Sequence, residues 1–76
     1  PQPLSKAQQQ QLKKLGAHIK ALREAKGMTL QDVALAIDKD RQSIHKLEKG
    51  LFNPSYIYLN EIARGLQVPL AILLPL

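Results

Sequence analysis

Apolar residues recur along this chain at intervals of three and four, not in alternation. Leu12, Leu15, Ile19 and Leu22 form the first such set, and that spacing predicts one face of an α-helix. The helix is expected to begin between Ser5 and Gln8 and to end near Lys26, with Gly27 as its C-terminal stop. The run Gln8 to Gln11 fits it, because glutamine is a fair helix former. The residues before it are polar and broken by proline. They read as a flexible arm over 1–7, ahead of a domain over 8–76.

The stretch MTLQDVALAI predicts a second helix. Thr29 and Asp32 have the spacing of a capping box, and Met28 and Val33 that of a hydrophobic staple. Val33, Ala34 and Ile37 form its buried side. Asp38 is a plausible end, since aspartate tolerates the left-handed conformation better than most residues. Asp40 then caps a third helix running from Arg41 to about Lys49, and Gly50 stops it. LFNPS is loop, with Asn53-Pro54 as turn chemistry. Ser55 caps a fourth helix whose apolar set is Tyr56, Leu59, Ile62, Ala63 and Leu66. Pro69 opens a short fifth helix, LAILL, and Pro75 closes it. No strand alternation and no internal repeat occurs. The expected class is all-α. The connection Asp38 to Asp40 has the length of a helix-turn-helix joint.

The third helix is divided. On a wheel of about 100° per residue from Arg41, Ile44 and Leu47 fall at about 300° and 240°. Arg41, His45, Lys49, Gln42 and Lys46 fall at about 0°, 40°, 80°, 100° and 140°. All five donate hydrogen bonds, and no acid interrupts their arc. Such a face suits the DNA major groove, where arginine or lysine bonds guanine and glutamine bonds adenine. A solvated basic face is the plain alternative. The absence of acids and the tight turn before the helix tip the balance toward DNA. Glu48, at about 340°, lies at the core edge and needs a cation. Arg23, near the end of the first helix, is the candidate, as a partly buried pair with a structural role.

Composition adds limits. At 76 residues the chain makes one small domain. A domain of this size buries only roughly 60% of its unfolded surface. With no cysteine it has no disulfide, which leans toward the cytosol. His18 and His45 stand far apart without thiolates, so no zinc site or other cofactor is expected. The net charge of +5 favours anionic partners, although basicity for solubility alone is an equally weighted reading. The run Leu70 to Leu74 is too short to span a membrane, and the first residues lack an apolar signal core. Ser43 and His45 lie two apart on a helix and point in different directions. No phosphate-binding glycine loop is present, so catalysis is not expected.

From Leu15 to Leu74 the chain resembles the Cro/C1-type (XRE-like) helix-turn-helix family of phage repressors and bacterial regulators. The resemblance covers roughly four-fifths of the chain. The matching text is LGAHIKALREAKGMTLQDVALAI, RQSIHKLEKG and NPSYIYLNEIARGLQVPLAIL. The SIxxLExG core followed by NPS, in this helix order, makes the match specific. The resemblance implies a compact five-helix bundle of the lambda-repressor-like type. It implies base reading by Arg41, Gln42 and Lys46, and phosphate contact by Ser43. It places Lys49 and Asn53 at the backbone-contacting end of the third helix and makes Arg23–Glu48 an interhelical ion pair. Two departures stand out. Leu30 replaces a common glutamine, leaving Gln31 as a substitute contact, and Asp38-Lys39 replaces a glycine-apolar turn. Lys39 then adds a cation near the DNA side, with His45 as a further flanking contact.

The expected function is sequence-specific binding of double-stranded DNA by a transcriptional regulator, a repressor first. A homodimer on a palindromic operator is expected, with the apolar tail LAILLPL and part of helix four as the seam. The simpler alternative for the tail is to fold back on the core, which is expected for Leu70 and Leu73 and leaves Leu74 and Leu76 for a partner. Phe52 is expected to pack under its loop rather than serve a subunit contact. An antitoxin or controller that also binds a partner protein is one rival, and an interaction-only module is another. The expected setting is the cytoplasm of a bacterium, with a bacterial or phage gene.

Overall fold

The computed structural model describes residues 3–75, so Pro1 and Gln2 of the expected arm and Leu76 of the expected seam lie outside the described residues. Five helices follow in order: α1 (Lys6–Ala25), α2 (Leu30–Ile37), α3 (Arg41–Glu48), α4 (Tyr56–Leu66) and α5 (Leu70–Leu73). The first four each begin at a residue whose side chain accepts a free backbone amide of the first turn, namely Ser5, Thr29, Asp40 and Ser55. Ser5 and Thr29 form full capping boxes with Gln8 and Asp32. The Ser5 box starts α1 at Lys6, so the last two residues of the expected arm are its first turn. α5 has Pro69 at its cap without a side-chain bond and stops one residue before the expected Leu74.

The helix ends are tight. Asp38 takes the left-handed conformation, as its position predicts, and Gln67 does the same after α4, which no turn residue announces. Gly50 also has positive φ, and a β-carbon there would meet the backbone of Lys13.

The core is built by Ile19 of α1, Val33, Ala34 and Ile37 of α2, Ile44 and Leu47 of α3, Ile62, Ala63 and Leu66 of α4, and Leu73 of α5. α1 packs on α3 and α5, α2 on α3 and α4, and α4 on α5. The domain measures 33 × 24 × 19 Å. Two glycines permit the closest crossings. A β-carbon on Gly16 would strike the carbonyl oxygens of Leu47 and Glu48, and one on Gly65 would strike Ile37.

One apolar assignment is corrected. Tyr56 is 69% exposed, whereas Tyr58 packs against the core. The buried stripe of α4 ends at Tyr58 and Leu59, so the first-turn residue Tyr56 projects past it. Phe52 packs under its loop as expected, edge-on to Tyr58 at 5.5 Å between ring centres. The tail folds back: Leu73 is fully buried, and Leu70 and Leu74 are part-buried. His18 Nε2 donates to the Ile72 carbonyl at 2.8 Å, tying α5 to α1.

Arg23 and Glu48 join α1 to the end of α3. Arg23 Nε donates to Glu48 Oε2 at 2.7 Å and Nη2 to Oε1 at 3.0 Å. Nη1 donates to the Met28 carbonyl at 2.8 Å, so the guanidinium also holds the α1–α2 turn. Both residues are 8% exposed, deeper than the partial burial expected. The bond to Glu48 raises the Arg23 pKa, outweighing the opposing effect of burial.

Two stability outcomes follow from these contacts. Glu48→Ala leaves the Arg23 guanidinium buried without its partner and should cost about 3–5 kcal/mol in urea unfolding. A loss below about 1 kcal/mol would show the pair to be a surface contact. Gly16→Ala should cost about 1–3 kcal/mol, because α1 and α3 must move apart to admit the methyl group. An unchanged melting curve would contradict the close crossing.

Candidate nucleic-acid interface

The turn Asp38 to Asp40 sets α3 against α2. Left-handed Asp38 ends α2, and two residues later Asp40 starts α3. Asp40 Oδ1 accepts the Ser43 backbone N–H at 2.8 Å, and Oδ2 accepts the Ser43 hydroxyl at 3.0 Å. These bonds, the backbone one first, hold the Asp40 carboxyl below the usual carboxylate range. The cap therefore serves two ends. It satisfies a free amide and keeps an exposed acid occupied beside the cationic arc.

α3 is split along its length. Ile44, Leu47 and Glu48 are buried, while Arg41, Gln42, His45, Lys46 and Lys49 are all exposed. Among the described residues, none of those five side chains enters a hydrogen bond or ion pair. Arg41 and Gln42 occupy the first turn, and Lys46 lies one turn later. His45 and Lys46 stand in the last turn, and Lys49 is the C-cap residue, where cations complement the helix dipole. The face is about 12 Å long at 1.5 Å per residue. It offers donors in bulk and no carboxylate.

The flanking residues are less uniform. Gln31 is exposed on the first turn of α2, and Asn53 is exposed in the loop after α3. Ser43 is half-buried, and its hydroxyl proton points to Asp40, so contact with a phosphate requires it to change partner. Lys39 Nζ lies 3.4 Å from Glu61 Oε2 of α4, in a half-exposed pair. That pair closes the α2–α3 turn against α4 and draws the lysine charge toward the bundle.

Sequence reasoning missed Tyr58 and Glu61. The Tyr58 hydroxyl is buried without a hydrogen-bond partner, and burial raises its pKa, with the Asp40 carboxylate adding to the effect. The spacing of Asp40 and Ser43 announces their bond. No local signal links Lys39 to Glu61 across 22 positions. Among the described residues, no cluster of three or more metal-ligating side chains exists. No helix there is long and apolar enough to cross a membrane.

Comparison with known proteins agrees with this geometry. A family model described as helix-turn-helix matches residues 19–73. No curated protein matches the chain. Among solved structures, the restriction-modification controller protein C.AhdI from Aeromonas hydrophila superposes with a TM-score of 0.79 at 29% identity, covering 82% of this chain and 94% of that one. The clp gene regulator ClgR from Corynebacterium glutamicum gives 0.79 at 26% identity, covering 95% and 86%. The controller protein C.Esp1396I, solved as a tetramer with its 35 base-pair operator, gives 0.76 at 34% identity, covering 82% of each chain. The family match spans the helix-turn-helix joint, the acid-free arc of α3 and the buried pair behind it. The chain belongs to the Cro/C1-type (XRE-like) helix-turn-helix family of DNA-binding transcription regulators.

Proposed function

We propose that this chain binds double-stranded DNA sequence-specifically through α3 and acts as a repressor by occupying its operator. The observation that carries the reading is the exposure of Arg41, Gln42, His45, Lys46 and Lys49 on a helix whose other side is locked in the core. A major groove about 12 Å wide admits such a helix. Arg41, Gln42 and Lys46 read base edges. Lys49, His45, Asn53 and Gln31 flank them and reach sugar and phosphate. Ser43 joins them by releasing Asp40, and Lys39 by loosening from Glu61. Phosphate contacts fix the register and the base contacts carry the sequence.

One copy of α3, about 12 Å long, reaches three or four base pairs at about 3.4 Å each. Two copies on a palindrome, about 34 Å apart, supply a specific site. The tetrameric assembly of C.Esp1396I on its operator supports pairing of this kind. Among the described residues, Ile72 is the large apolar tail residue left for a partner copy, being 51% exposed beside the buried Leu73. A second reading, a controller that also engages a partner protein, draws support from the restriction-modification controllers among the similar structures. Copurification of a stoichiometric partner favours it.

Arg41→Ala should relax discrimination at one base pair by about 1–3 kcal/mol in titrations against operator variants. Lys49→Ala should instead weaken all duplexes alike and flatten the salt slope by about one unit. Unchanged operator preference in Arg41→Ala contradicts the base-reading assignment. Sedimentation tests the assembly. Ile72→Asp should leave the chain folded but shift it to monomer both free and on a palindromic duplex. A variant that still pairs on the duplex moves the seam elsewhere.

A further inference from the structure

The charge left outside the proposed groove contact is concentrated on α1. From Lys6 to Leu22 that helix carries Lys6, Lys13, Lys14 and Lys20 and no acid. All four lysines are exposed, and among the described residues none is in an ion pair. Lys6, Lys13 and Lys20 are seven residues apart, so each step drifts by only about 20° around the helix. They form one row, about 21 Å long at 1.5 Å per residue.

The row has a definite side. The Lys13 backbone abuts Gly50, immediately after Lys49, and Gly16 lies against the Leu47 and Glu48 carbonyls. The flank of α1 that carries the lysines is thus the flank that meets the end of α3. The other flank carries His18, which binds α5 through Ile72. Gln9 lies between Lys6 and Lys13 and, with Lys13, lines a shallow groove that runs to Gly50 and Leu51. A lysine row free of acids, whose middle member has its backbone against the residue that follows Lys49, complements a rail of phosphates.

We infer that Lys6, Lys13 and Lys20 form a second phosphate-gripping strip, which holds duplex flanking the segment read by α3. The inference rests on the DNA-binding reading above and extends its footprint along α1. The occupant is the backbone of the same duplex, outside the base-read positions, and the contact is independent of sequence. The part of α1 ahead of Ile19, which carries Lys6 and Lys13, lies outside the family match at residues 19–73, and Lys20 lies just inside it.

The test compares the wild type, Lys49→Gln and the triple variant Lys6→Gln/Lys13→Gln/Lys20→Gln. Each is titrated at several salt concentrations against a selected operator with long flanks and against the same operator trimmed to its base-read core. Glutamine keeps the helix, and thermal melting checks the fold. On the long duplex the triple variant should flatten the salt slope by about 2–3 units, at roughly 0.9 per lost phosphate contact. Base preference should be unchanged. On the trimmed duplex, wild type and triple variant should converge. If the triple variant keeps the wild-type slope on the long duplex while Lys49→Gln lowers it, the strip is wrong and the α3 reading stands. If no duplex binds with a salt-dependent slope, both fall.

Discussion

The buried ion pair between Arg23 and Glu48 is the constraint from which the interface follows. Glu48 belongs to the same helix as the exposed donors, and its carboxylate has one place to go, into the fork of the guanidinium. That bond fixes the roll of α3 about its own axis. A turn of one residue, about 100°, would pull the acid out of the fork and carry Ile44 and Leu47 out of the core. Replacing such a pair with apolar residues often leaves stability unchanged, whereas removing one partner strands a buried charge. Gly16 and Gly50 complete the arrangement by letting α1 touch the end of α3 at backbone distance.

The acids are placed so that they do not oppose this surface. Of the six carboxylates in the chain, Asp32 and Asp40 cap helices, Glu48 is buried with Arg23, and Glu61 faces Lys39. Only Glu24 and Asp38 are left outside these roles. The lysines, apart from Lys39, have no such internal partner among the described residues. The result is an excess of unpaired cations on α3 and α1, of the kind that raises the encounter rate with polyanions before any specific contact forms.

Much of this was legible in the residues themselves. Three of the side-chain caps, Thr29, Asp40 and Ser55, the glycine stop after α3 and the left-handed Asp38 were readable because capping chemistry is local, whereas the Ser5 cap was read only as a helix start between Ser5 and Gln8. The split of α3 was readable because a helix wheel needs only its own period. Tyr56 was misplaced because periodicity gives the direction of a stripe but not where the core ends. The Lys39–Glu61 pair and the His18 bond to α5 were invisible, since each joins positions that only the packed bundle brings together, and the burial of the Tyr58 hydroxyl is likewise set by that packing. The roles of individual donors toward bases or phosphates depend on the pose of a duplex, which no intrachain rule encodes.

The outward side chains of α3 have no internal duties among the described residues, while its inward ones carry all the packing. Frame and message are therefore separable within a single eight-residue helix. Under the proposed reading, descendants of this chain could exchange Arg41, Gln42 or Lys46 and acquire a new address on the genome without first having to solve the problem of folding again.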